Sequence, residues 1–435
     1  MSRSILFVAY FYPPCPDAGA HRPAAMVKYL RRLGHGVTVL TTAAYGRDAG
    51  DGVVRTADLQ LARARMHGKD RVQSMYDGDT YSARPHPLSY VVVPEPLLLA
   101  WVPFALPRAL RLHRAHRFDA VITSSPPESA HVIGRALARR GAAWVADVRD
   151  AWGFEPLRPR FPTAGQRALD ERLERRLLRA AHVVTSVSRP AADDLRARVG
   201  ANVELVPNGW DPELAPPVDG TEAREAALML DPERTSLVYT GRFGSYGRDP
   251  GPLIEALRHL AESEPELARR LELVVAGPHT DAELELLRTD VAPAKITVLG
   301  SLPRGRALAL QRAAGALLLI ASPSRSQLAN LKLFEYLAAA RPILALAAGT
   351  EAGRIVAETG GQTVRSDDTQ AIAAALRRLL EGNTEAPDPA RLREYSYPPI
   401  AERMAGAVES AIATRSAWRD RTDPILHGDG DPPNR

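Results

Sequence analysis

Short runs of aliphatic and β-branched residues alternate along this chain with longer amphipathic stretches, and that alternation sets the fold class before any single residue is weighed. In the first half, Ile5–Tyr10, Val37–Thr42, Tyr90–Val93, Ala120–Thr123, Trp144–Asp147, His182–Ser186 and Glu204–Val206 read as strands. Between them Arg22–Leu33, Ser129–Arg140 and Gly165–Ala180 carry apolar residues at helical spacing. The second half repeats the scheme. Leu237–Thr240, Leu273–Ala276, Ile296–Leu299, Ala316–Ile320 and Ile343–Leu346 read as strands. Pro250–Glu262, Asp281–Arg288, Gly305–Arg312, Lys332–Ala339 and Thr369–Leu380 read as helices. Several strands are apolar on consecutive positions, as expected where both faces are covered. Strand–helix alternation of this kind predicts an α/β chain of βαβ units around parallel sheets.

A chain of 435 residues is too long for one ordinary core. The stretch 207–235 is rich in Pro, Gly and acidic residues and reads as a break between two halves. The expected organisation is a Rossmann-like domain over 1–210, a linker over 211–235 and a second Rossmann-like domain over 236–398. A last helix over about 399–414 is expected to pack back on the first domain, with a polar tail over 415–435. Two doubly wound domains facing each other leave a cleft between them. Ligands in such sheets bind outside the carboxyl ends of the strands, so chemistry belongs in the loops that follow strands.

Composition narrows the class. Hydrophobic residues make up 45% and charged residues 25%, enough apolar surface to exclude a disordered chain. The net charge is +5 and nearly all of the positive charge is Arg, the lysines being Lys28, Lys69, Lys295 and Lys332. Such a surface either simply solvates the protein or suits anions such as diphosphates and acidic lipid. No compact basic run with interleaved aromatics points to nucleic acid. Cys15 is the only cysteine, which rules out an internal disulfide and fits a reducing compartment. Met1–Tyr10 lacks the features of a signal peptide, and no apolar run reaches the roughly 18 residues of a membrane span. A cytoplasmic protein is expected. Pro96–Pro107 is apolar almost throughout and is followed by Arg108, Arg111, His113, Arg114, His116 and Arg117. It either packs against the first sheet or rests on an anionic membrane as a peripheral contact at the inner face.

Five places could carry chemistry. The loop after the first strand, Phe11 to Arg22, is Pro-rich and holds Gly19 just before a helix start; it lacks the dinucleotide fingerprint. Gly241-Arg242-Phe243 opens a second glycine-rich loop that ends at Arg248, and two guanidinium groups there suit a diphosphate. Asp147, Arg149 and Asp150 crowd the end of a buried strand, where charges are costly unless paired or functional. They form either an internal Asp–Arg pair or a site for an acceptor hydroxyl. His131, on the next helix upstream, is either structural or an acceptor-side group. Lys332 and Glu335 share one helix face after the strand Ala316–Ile320. They are either a surface pair or a phosphate-binding cation and a ribose-binding carboxylate. No Asp-x-Asp at a strand end and no His/Cys cluster with ligand spacing calls for a metal.

Taken in order, Tyr12-Pro13-Pro14…Gly19, Gly34-His35-Gly36-Val37, Asp147-Val148-Arg149-Asp150-Ala151-Trp152, Val206-Pro207-Asn208-Gly209, Thr240-Gly241-Arg242 and Lys332-Leu333-Phe334-Glu335-Tyr336 resemble the family 4 glycosyltransferases, over about residues 4–415. The resemblance implies the GT-B fold, with acceptor on the first domain and nucleotide-diphosphate sugar on the second. It implies hexosyl or related transfer to a hydroxyl with retention, no metal and no other cofactor, in polysaccharide or glycoconjugate synthesis. The acceptor is then a lipid-linked glycan or a small molecule. It places Gly19, Arg242, Arg248, Lys332, Leu333 and Glu335 around the donor, with Arg248 where the family usually has Lys. Glu335 matches the second of the family's paired glutamates, and the first falls on Gln327. Arg149 stands where many relatives have a catalytic His, so Asp147, Arg149 and Asp150 are carried as the catalytic candidates and His131 as an acceptor-side one. Two alternatives share the architecture: an inactive relative that binds nucleotide sugar or a partner enzyme, and a nucleotide-sugar epimerase, which needs carboxylate bases around the donor sugar and against which Gln327 and the scarcity of acids near the Lys332 helix count.

Overall fold

The computed structural model describes residues 1–46, 50–66, 91–155, 161–214, 220–243, 248–384 and 387–422. The chain divides into two compact units. One comprises Met1–Val187, Ala191–Val206 and Ala401–Arg435, the other Ser188–Pro190 and Pro207–Ile400.

The first unit is built on seven parallel strands: β1 (Ser4–Ala9), β2 (Gly36–Thr42), β3 (Val53–Thr56), β4 (Ala120–Ser125), β5 (Ala143–Val148), β6 (Val183–Ser186) and β7 (Val203–Leu205). They lie in the order β3-β2-β1-β4-β5-β6-β7. The second has six, β8 (Thr235–Thr240), β9 (Leu271–Ala276), β10 (Lys295–Gly300), β11 (Ala316–Ile320), β12 (Ile343–Leu346) and β13 (Gln362–Val364), in the order β10-β9-β8-β11-β12-β13. Each sheet reverses its winding once, between β1 and β4 and between β8 and β11. These reversals are the places where such sheets open a crevice for a ligand. Central strands are buried along their whole length, β4, β5, β9 and β11 among them, because helices cover both faces.

Several expectations shift. Val91–Val93, the described part of the run read as a strand, forms a turn, and Val91 is 65% exposed. Pro94 and Pro96 have no N–H to give a ladder. The edge beyond β2 is filled instead by the short β3. The apolar stretch that follows goes largely into the core: Leu97, Trp101, Val102 and Ala105 are buried, and the Trp101 indole donates to Thr56 Oγ1 at 2.9 Å. Leu99 and Phe104 stay exposed. The stretch read as a linker carries the helix Thr221–Ala227, whose Ala226 is buried and whose Glu225 pairs with Arg306 at 2.9 Å, so it is packed structure of the second unit. The last helix runs over Tyr397–Thr422, longer than expected. It buries Ile400, Met404, Ala407, Val408 and Ala411, a stripe at helical spacing. Within the first unit Arg3 holds Glu409 through two bonds of 2.6 and 2.7 Å, and Arg415 donates to the carbonyls of Asp119 and Gly141. The tail from 423 on lies outside the described residues.

Candidate functional site

At the reversal of the first sheet, the loops after β1, β4 and β5 meet. Arg149 ties them together: its guanidinium donates to the carbonyls of Ser125 (2.7 Å), Pro126 (3.1 Å) and Gly19. Gly19 is placed by this contact rather than by its backbone, since a Cβ there would only touch the Phe11 ring at 3.5 Å. Asp147, fully buried at the end of β5, makes the internal pair that its sequence left open, but with Arg22 and not with its neighbour. Arg22 bonds it at 2.8 and 3.3 Å and also donates to the Val206 carbonyl. Ser124 and Thr185 add hydroxyl bonds of 2.8 and 2.9 Å. Burial alone would raise the Asp147 carboxyl, but the Arg22 guanidinium outweighs it and holds the group below its ordinary value.

Asp150 is the partly exposed member of the trio. Its carbonyl accepts from Trp152 N at 2.7 Å, and Trp152 sits at φ +27°, a costly conformation for a large side chain. The conformation is held by burial of the ring and by a bond from its indole to Asp170 Oδ1 at 3.1 Å. His131 lies beneath, stacked on Trp152 with ring centroids 6.2 Å apart. Its Nδ1 pairs with Thr123 Oγ1 at 2.8 Å, and its Nε2 has no partner among the described residues. Complete burial drives its proton affinity down to a pKa of about 4, so the ring is neutral. Nearby, Glu95 accepts from the amides of Leu97 (2.6 Å) and Ser129 (3.1 Å), and burial with Glu128 alongside pushes it up to about 7.

The second site lies at the reversal between β8 and β11. Gly241 follows β8 at φ +118°, and a Cβ there would collide with the Lys332 ammonium. Lys332 comes from the helix Leu331–Ala339, whose start is fixed by Asn330: its side chain accepts from Leu333 N at 3.2 Å. Leu333 itself is buried and packs the helix onto the sheet. The Lys332 ammonium lies 4.1 Å from the centre of the Tyr239 ring. Burial, with Arg248 nearby, lowers its pKa to about 7. Glu335, on the same helix face, bonds Arg304 at 3.1 Å, and burial raises its carboxyl above the ordinary value. The Arg242 carbonyl accepts from the Tyr239 hydroxyl at 2.8 Å. Gln327, in the loop after β11, is buried, and its amide nitrogen has no partner among the described residues. The structure therefore gathers Arg242, Arg248, Lys332 and Glu335 about the C-terminal end of β8. Asp147, Arg149, Asp150, His131 and Gly19 belong to the other unit.

Residues 19–209 match the glycosyl transferase 4-like domain, and residues 234–382 match the glycosyl transferases group 1. The chain belongs to the family 4-like glycosyltransferases. The D-inositol 3-phosphate glycosyltransferase of Stackebrandtia nassauensis is 30% identical to it over 236 residues, 53% of this chain and 48% of that one; the chain thus spans about half the length of this relative. Among solved structures, the sucrose-phosphate synthase of Thermosynechococcus elongatus aligns with a TM-score of 0.54 at 18% identity, covering 97% of this chain and 99% of that one. The α,α-trehalose 6-phosphate synthase of Burkholderia multivorans aligns at 0.54 and 16%, covering 96% and 98%. At these identities the likeness is one of fold, the GT-B pair of Rossmann-like domains.

Several residues of this glycosyltransferase escaped the sequence reading. Arg22, the partner of Asp147, lies in a distant helix and carried no local signal. Tyr239 under Lys332 looked like a plain strand residue. Arg304 could have been found as the first residue of the helix Arg304–Ala313. Among the described residues no three His, Cys, Asp or Glu side chains cluster as metal ligands, and no helix is long and apolar enough to cross a membrane.

Proposed function

We propose that this glycosyltransferase takes a sugar from a nucleotide-diphosphate donor and delivers it to an acceptor hydroxyl, with retention at the anomeric carbon and without a metal ion. The observation that carries the reading is Lys332 seated against Gly241 at the C-terminal end of β8, with Glu335 on the same helix face. A departing nucleoside diphosphate needs fixed cations aimed at its developing charge, and Lys332, Arg242 and Arg248 supply them. Glu335 accepts hydrogen bonds from the ribose hydroxyls, sharing its second oxygen with Arg304. Gln327 offers an amide N–H where the resemblance places a carboxylate, so it donates to the transferred sugar rather than accepting from it. On the acceptor side Arg22 and Arg149 are committed to Asp147 and to backbone carbonyls. Asp150 is the group that orients the acceptor hydroxyl.

The curated relative is named for D-inositol 3-phosphate and one solved relative holds glucose 6-phosphate, which makes phosphorylated polyols the first acceptors to try. Exposed Leu99 and Phe104, with Arg111, Arg114 and Arg117 exposed further along the same segment, support the second choice, a lipid-linked acceptor at the inner face of an anionic membrane. The test is release of nucleoside diphosphate from a panel of nucleotide sugars in EDTA, with and without acceptor, and NMR of the product's anomeric proton. Acceptor-dependent release with the donor's anomeric configuration supports the proposal. A strict need for Mg²⁺ or Mn²⁺, an inverted product, or interconversion of the nucleotide sugar without acceptor contradicts it.

A further inference from the structure

The loop after β9 approaches the donor edge from the side away from Lys332. Gly277 opens it at φ +153°, and a Cβ there would run into the Gly241 carbonyl, so the β8 and β9 loops touch backbone to backbone. Thr280 closes the loop in a capping box with Glu283, which fixes the start of the helix Asp281–Leu287. His279 is thereby held in place between two anchored points. Its ring stacks on Phe243 at 5.8 Å between centroids, and Phe243 stacks on Tyr239 at 4.1 Å, the ring that carries the Lys332 ammonium.

Both ring nitrogens of His279 are shut off from solvent and have no hydrogen-bond partner among the described residues. A neutral imidazole always presents one N–H and one lone pair, and leaving both unmet is unfavourable unless something else meets them. The charges facing the ring say what that is. Glu283 on its own helix is the strongest single charge on it, and Arg242 from the loop after β8 and Lys332 from its helix oppose that carboxylate as cations. Burial and these cations together lower its proton affinity. An orphaned donor beside two cations fits an anion.

We propose that His279 is a phosphate-contacting residue of the donor site, giving a ring N–H to a diphosphate oxygen held between Arg242 and Lys332. The inference rests on the reading of the C-terminal end of β8 as a nucleoside diphosphate site. Contact requires the ring to turn or slide on Phe243, and an offset stack at this separation leaves that freedom. The bound anion offsets the two cations, so the imidazole takes up a proton more readily in the complex than in the free protein.

The experiment is calorimetric titration of the full chain with inorganic pyrophosphate, a probe that needs no knowledge of the base or the sugar. The proteins are wild type, Lys332→Ala, His279→Phe, which keeps the stack, and His279→Gln, which restores an N–H. Expected are losses of tenfold or more for Lys332→Ala and His279→Phe, with partial recovery in His279→Gln. In ¹³C-histidine-labelled protein, the His279 resonance, identified by its absence from the His279→Phe spectrum, is expected to titrate at higher pH when pyrophosphate is bound. Lys332→Ala binding as well as wild type removes the site itself. Lys332→Ala weakened with His279→Phe unchanged, or a His279 resonance indifferent to pyrophosphate, overturns the role of His279 and leaves the site standing.

Discussion

Binding a nucleoside diphosphate at pH 8 should draw close to one proton from the buffer, and Lys332 is the reason. In the free protein its pKa is lowered to about 7, first by burial and then by Arg248. About one tenth of the sites therefore carry the ammonium at pH 8, about half at pH 7 and about nine tenths at pH 6. A diphosphate beside it favours the charged form, so in the complex Lys332 is fully protonated throughout this range. The share of the uptake due to Lys332 is then roughly 0.9 proton per bound nucleotide at pH 8, 0.5 at pH 7 and 0.1 at pH 6, and near pH 6 the nucleotide's own terminal phosphate gives up protons on meeting the cations. By linkage the affinity falls about tenfold for each pH unit above 7. The assay is titration calorimetry in buffers of different ionisation enthalpy, HEPES and Tris, where the slope of observed heat against buffer enthalpy counts protons. Lys332→Arg keeps a cation that does not titrate and should lose the uptake at pH 8 while retaining binding. A wild-type slope near zero at pH 8 with binding intact, or an undiminished slope in Lys332→Arg, refutes the reasoning.

Gly241→Ala places a methyl against the Lys332 ammonium at φ +118°. It should cost about 1–2 kcal/mol in denaturant unfolding and weaken nucleotide binding about tenfold; unchanged binding would separate Lys332 from the donor. Arg22→Met leaves Asp147 buried without its cation, and urea titration should show a loss of about 3–5 kcal/mol, part of it recovered in Arg22→Met with Asp147→Asn; a near-neutral single substitution would mean that the pair is not formed. His131 has a folded pKa of about 4, below its unfolded value, so the unfolded chain binds more protons between the two. Its contribution is complete above pH 6.5 and is lost as the pH falls to 4, about 3 kcal/mol in all. The difference between wild type and His131→Gln in urea titrations at pH 7.5 and 4.5 isolates that share, and a pH-independent difference would contradict it.

The parallel sheets were legible because their strands are apolar on consecutive residues; β11 and β12 are placed from pattern alone. Short edge elements were not. β3 and β13 have too few residues to show a period, and the prolines at 94 and 96 do not by themselves reveal a turn within an apolar run. The helix Thr221–Ala227 hid in a Pro- and Gly-rich stretch because its only core residue is Ala226. At the candidate sites, Lys332, Glu335, Arg242 and Arg248 stand out in one dimension as charges that follow strands, and their assignment to the donor rests on the family resemblance. Their partners come from elsewhere in the chain. Arg22 reaches Asp147, and Arg304 reaches Glu335, only after the sheets bring them together, and an orphaned nitrogen such as that of Gln327 or His279 exists only in three dimensions. Asp147 shows the same limit from the other side: a carboxylate at a strand end reads alike whether it faces a ligand or closes a buried network.

The central claim is that the C-terminal end of β8 in the second unit holds a nucleoside diphosphate through Lys332 and Glu335. The most direct test is titration calorimetry of the wild type and Glu335→Ala with uridine, guanosine, adenosine, thymidine and cytidine diphosphates, in EDTA. Each hydrogen bond from a ribose hydroxyl to the carboxylate is worth about 1.5–3 kcal/mol. One nucleotide should therefore bind the wild type saturably and bind Glu335→Ala roughly ten- to a hundredfold more weakly, with the variant's melting temperature little changed. Binding of none of the five by the folded wild type, or equal affinity in the variant, would contradict the account.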